Sequence, residues 1–192
     1  HPRRGAAAAT QDGKSAKFTD LTNTQQTLDL WSGSLKSRFT FDGSEVQVQT
    51  RVHPTLDMIM VELTSPLLAR GQLGVDLKFP GVSTKINPDP ADWSHPDKHQ
   101  TIEGKRDARQ LSLHRVLDDT RYHAVARTNS DVTFAPAGPH SYRILPAGKP
   151  NSLTLMVAFS PEPIAQPLPT VAAANRDVVN HWRDYWTKGA AV

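Results

Sequence analysis

The chain has 192 residues, with 22 Lys and Arg against 19 Asp and Glu, a net charge of +3, and no cysteine. The basic residues are interspersed with acidic ones rather than gathered into a stripe, which gives nucleic-acid binding little support. The missing cysteines exclude a disulfide framework, a thiolate zinc site and a cysteine nucleophile. No stretch approaches the roughly 18 consecutive apolar residues of a membrane helix, and 38% hydrophobic residues suit one large β domain with a buried core.

Residues 1–26 lack hydrophobic periodicity and are expected to form a loose N-terminal arm or loop. From Thr27 the pattern alternates. Leu28 and Leu30 are followed by Leu35 to Phe41, a turn at Asp42-Gly43, and then Val46, Val48, Thr50 and Val52 in alternation with polar residues. This is a hairpin signal, because Asp-Gly readily takes the positive φ values of a tight turn. His53-Pro54 breaks the run. Leu56 to Leu63 then places apolar residues on both faces, as a central strand covered on each side requires, and Leu73, Val75, Leu77 and Phe79 alternate again. Successive strands with short turns and no intervening helix predict an antiparallel meander.

Residues 80–110 read differently. Pro80, Pro88, Pro90 and Pro96 punctuate a polar stretch without strand period, and a loop of that length in a compact domain is usually functional or disordered. Strands resume at Leu111 to Leu117, Tyr122 to Ala126, Val132 to Phe134, Tyr142 to Leu145 and Leu153 to Phe159. After Pro167 and Pro169 the period switches to helical, with Val171, Val178, Trp182 and Trp186 on one face, Thr170 as N-cap and Gly189 as C-cap. The sandwich thus spans residues 27–166 and a linker helix 167–192. His1 in place of an initiator Met, and an end directly after a helix, lead us to expect a segment of a longer polypeptide.

Four stretches together resemble the N-terminal sandwich of bacterial six-hairpin glycosidases, the (α/α)6-barrel enzymes similar to glycoside hydrolase family 65. LDLWSGSLKSRFTFDG and VHPTLDMIMVELTSPLLARGQLGVDLKFP resemble the family's core hairpins, DWSHPDKHQT its long loop, and HWRDYWTKGAAV the helix that leads into its barrel. The resemblance implies an all-β, antiparallel, galactose-mutarotase-like super-sandwich with a C-terminal linker helix. It further implies a non-catalytic domain that supports a missing C-terminal barrel and can send a loop towards the substrate, an oligosaccharide or glycoside. The catalytic carboxylates would lie in that barrel, so no catalytic residue, metal or cofactor is assigned to this chain. A periplasmic or secreted location is favoured, with the cytoplasm left open.

The residues themselves offer few rivals. Glycoside hydrolysis needs two carboxyl groups about 5 to 10 Å apart. Asp118-Asp119 and Glu103 with Asp107 are the only pairs near strand ends, and the first suits a hairpin turn. His95 and His99 have i, i+4 spacing, but Pro96 between them and the lack of a third ligand weaken a metal reading. His114, on a strand, is the one start for mutarotase-type chemistry. The loop around Trp93 is the best candidate site: its indole offers a flat apolar face for a sugar ring, with Asp92, His95, Lys98 and His99 placed to hydrogen-bond hydroxyls. Trp31 is expected to pack within a strand, and Trp182, Tyr185 and Trp186 to form an inter-domain or domain-core contact. The alternative is a stand-alone carbohydrate-binding sandwich.

Overall fold

The computed structural model describes residues 7–11, 14–83 and 91–189, so Pro88 and Pro90 of the long loop, residues 1–6 and 12–13 of the N-terminal segment, and the final Ala-Ala-Val lie outside the described residues. In chain order the elements are β1 (Ala7–Gln11), β2 (Lys14–Ser15), β3 (Thr22–Asp29), β4 (Ser34–Phe41), β5 (Ser44–Val52), β6 (Met58–Thr64) and the short helix α1 (Pro66–Ala69). Then come β7 (Leu73–Lys78), β8 (Gly81–Val82), β9 (Ala91–Asp92), β10 (His99–Arg106), β11 (Gln110–Leu117) and β12 (Thr120–Thr128). The chain continues through β13 (Val132–Pro136), β14 (Ser141–Pro146), β15 (Ser152–Ser160) and α2 (Val171–Lys188).

An eight-stranded sheet has the order β10-β11-β12-β15-β6-β5-β4-β3, and a five-stranded sheet the order β13-β14-β7-β1-β2. Among the described residues every strand pair is antiparallel. The fold is the all-β antiparallel sandwich that the alternation predicts. Two meanders, β3 to β6 and β10 to β12, are joined side by side by β15.

Local chemistry explains the turns. Asp42 and Gly43 take φ of 47° and 67°, closing β4 onto β5 with Phe41 opposite Ser44. Asp118, at φ 49°, makes the β11–β12 turn, with Leu117 opposite Thr120. That acidic pair is therefore turn chemistry, tolerated because Asp accepts the left-handed region better than most residues.

The core between the sheets is built by alternate residues of the central strands: Val61 and Leu63 of β6 with Leu153, Leu155 and Val157 of β15, against Leu73, Val75, Phe134 and Ile144. The intervening residues Met58, Met60, Met156 and Ala158 point to the opposite face, where Leu168, Ala174 and Val178 cover them. The two-sided apolar pattern of β6 thus has a two-sided cause: one face meets the second sheet and the other meets α2.

Three expectations are revised. The segment 1–26 supplies β1, which pairs with β7, and the start of β3, so it is not simply a loose arm. A sheet edge recruits a strand through backbone hydrogen bonds, which need no side-chain period. β10 runs through the stretch without strand period because it is an edge strand whose residues after His99 are mostly exposed. Trp31 sits in the β3–β4 turn rather than in a strand, and is 61% exposed.

Helix α2 begins as expected, with the Thr170 hydroxyl accepting from the Ala173 N–H at 3.2 Å. It ends at Gly189, whose N–H donates to the Tyr185 carbonyl. No described helix is long and apolar enough to cross a membrane.

Candidate functional site

The loop that follows the second sheet's central strand returns as β8, pairs with β9, makes a single 3-10 turn at Pro96–Lys98 and enters β10. Asp92 organises its exposed part. One carboxylate oxygen accepts from the Ser94 N–H at 2.8 Å, and the other meets His95 Nδ1 at 2.7 Å. The Ser94 amide first, then His95, hold the Asp92 carboxyl below its ordinary 3.8, so it is an anion across the neutral range. Trp93 is 42% exposed, and His95 and Lys98 also face solvent. Four of the five residues predicted around Trp93 therefore share an exposed loop, and two of them are bonded directly.

His99 departs from that group. It is 7% exposed and lies beneath the loop, with Nδ1 accepting from Arg115 at 3.0 Å. Gly81 is what lets it sit there, since a Cβ at that position would fall 2.8 Å from His99 Cδ2. His95 and His99, although four residues apart, thus face different surroundings. No group of three or more metal-ligating side chains occurs among the described residues.

The residue that sequence reading passed over is Arg115, which is fully buried. Its guanidinium donates to the carbonyls of Gln100 and Pro80, each at 3.0 Å, to the Thr101 hydroxyl, and to His99. It also lies 5.2 Å from the centre of the Phe79 ring. His140 completes the cluster, bonding the Pro96 carbonyl through Nε2 at 2.8 Å and Thr101 through Nδ1 at 2.7 Å, with its ring 3.9 Å from that of His99. Those partners make Nε2 the protonated nitrogen of His140 and Nδ1 its acceptor. A buried cation with no carboxylate partner among the described residues is costly unless its donors are satisfied, and here they are spent on tying Pro80 and Gln100, on either side of the loop, to the sheet. Burial, then His140 and Arg115, hold the His99 imidazole below its ordinary 6.5.

The other predicted residues fall elsewhere. Glu103 pairs with Arg106 at 3.3 Å, and Asp107 accepts from the Arg109 N–H at 2.8 Å. His114 stacks on His123 across β11 and β12, with ring centres 4.6 Å apart. Trp182 packs on Gly33, Trp186 donates to the Leu30 carbonyl at 3.0 Å, and Trp186 also stacks on Trp31 at 6.0 Å. Both tryptophans therefore dock on the sandwich itself, while Tyr185 remains 48% exposed.

No family profile matches this sequence. No curated protein matches it either. Among solved structures, one assigned as a kojibiose phosphorylase from the human microbiome superposes with a TM-score of 0.60 at 14% identity, over 94% of this chain and 27% of that one. This chain shares the sandwich fold of part of that protein. The likeness agrees with the resemblance read in residues 27–192, and the chain spans little more than a quarter of the solved protein's length.

Proposed function

We propose that this chain is a non-catalytic sandwich domain of a carbohydrate-active enzyme, a glycoside hydrolase or phosphorylase. It supports a catalytic barrel and contributes the Trp93 loop to substrate contact. The observation that carries this reading is the likeness in fold, over almost the whole chain, to a small part of a phosphorylase. Two features agree with it. The acidic side chains considered for catalysis are taken up by turns and ion pairs. At the C-terminal end of α2, the exposed rings of Trp31 and Tyr185 both meet Trp186, an exposed aromatic surface that suits a domain contact. In this reading residues 27–166 are the sandwich and 167–192 lead towards the barrel. Asp92, Trp93, His95 and Lys98 touch the glycoside, and His99 supports them from below. A periplasmic or secreted enzyme fits best.

The test is made on the natural polypeptide. A mass well above the 21.1 kDa of this chain, glycoside cleavage with water or phosphate as acceptor, and a Trp93→Ala variant with raised KM at unchanged kcat are expected. A natural product of about this chain's mass without such activity would overturn the reading and favour a stand-alone sugar-binding sandwich, a role for which the exposed Trp93 is suited.

A further inference from the structure

The outer face of the large sheet has two surfaces. Where α2 crosses it the outward residues are apolar, but over β3, β4 and β5 they are polar and border an open groove of about 500 Å³, within the size range of ligand sites. Two cross-strand rows line the groove, one through Lys36, Gln49 and Glu62, the next through Gln25, Arg38 and Gln47. α2 reaches its border: Asn175 donates to Glu62 at 3.1 Å and accepts from Arg51 at 2.7 Å.

These side chains hold one another in place. Arg38 donates to Gln25 Oε1 at 3.0 Å, and Gln47 Nε2 donates to Glu45 at 2.6 Å. With its amide oxygen towards Arg51 at 2.8 Å, Gln49 donates to Glu62 at 3.2 Å. The Gln25 amide therefore keeps N–H donors for the groove, while that of Gln47 keeps carbonyl acceptor capacity. Fixed amides lose less rotamer freedom on binding.

We propose that this groove binds a neutral oligosaccharide through its hydroxyls. A hydroxyl both donates and accepts, which matches a lining of alternating amide donors and acceptors. Lys36 and Arg38 of the lining are offset by Glu62 and by Glu45, which lies 3.8 Å from Arg38, so the groove carries little net charge to hold a polyanion, and it has no cluster of large apolar side chains such as centres a stable protein interface. The inference rests on the groove's own chemistry and not on the proposed function, whose substrate contact is the Trp93 loop.

Titration of the 192-residue chain with maltotetraose, cellotetraose and xylotetraose, followed by NMR, tests it. At least one sugar should shift the side-chain amide resonances of Gln25 and Gln47, with a Kd in the millimolar range or tighter. The double variant Gln25→Ala, Gln47→Ala should weaken that binding about tenfold, a change of about 1.4 kcal/mol, at unchanged Tm. Failure of all three sugars to bind, shifts produced only by inorganic phosphate, or binding that survives the double variant and is lost in Trp93→Ala would overturn it. The last outcome would leave the proposed function standing, whereas binding in the groove by a natural 21.1 kDa protein would do the reverse.

Discussion

The indole of Trp182 fills the space that a side chain at position 33 would occupy: a Cβ on Gly33 would fall 1.8 Å from Trp182 Nε1. Gly33 also has φ +60°, in the left-handed region where other residues are strained. Gly33→Ala is therefore expected to cost about 2–4 kcal/mol in urea unfolding, combining backbone strain with overpacking. Adding Trp182→Ala should recover the steric part and leave the backbone part, which a double-mutant cycle separates.

Val178, fully buried against Met60 and Met156 in the cluster under α2, tests whether the helix belongs to the sandwich. Val178→Ala should destabilise the chain by about 1–2 kcal/mol. An unchanged unfolding midpoint would mean that α2 does not dock as described.

Arg115 holds Pro80, Gln100, Thr101 and His99 at once. Arg115→Met leaves those acceptors unpaired and should cost about 2–4 kcal/mol. Amide exchange should accelerate first at residues 91–101 rather than at the sheet centre. Uniform acceleration would show that the cluster supports the whole sandwich instead of the loop.

His99 gives a pH dependence of defined sign. Its folded pKa lies below 6.5, so the unfolded chain binds the extra proton as pH falls through 6.5. Stability is then complete above that pH and declines below it, until the folded imidazole also protonates. His99→Gln keeps an acceptor near Arg115 but removes the titration. Urea midpoints measured from pH 7 to pH 5 should fall less steeply for the variant than for the native chain; equal slopes would contradict the assignment.

The Trp93 loop was legible in part. Its length, prolines and lone tryptophan marked it, and the Asp92 turn that shapes it follows from Asp chemistry over three residues. That His99 turns inward was not legible, because its partners Arg115 and His140 lie 16 and 41 residues away and meet it only through strand register. The groove was hidden for a related reason. Gln25, Arg38 and Gln47 read as ordinary solvated alternation along single strands, and become a row only once β3, β4 and β5 are side by side.

The sequence by itself determined what depends on neighbouring residues: the Asp42-Gly43 hairpin, the two-sided β6, the capped helix at Thr170, and hence an all-β sandwich ending in a helix. These follow from φ preferences, period-two alternation and helix capping, each set within a few residues. The tertiary structure alone decided that β1 and β10 are strands, that Trp182 closes on Gly33 across 149 positions, and that Arg115 anchors the loop. Those features depend on which backbone edges and side chains meet after folding, and no local pattern carries that information.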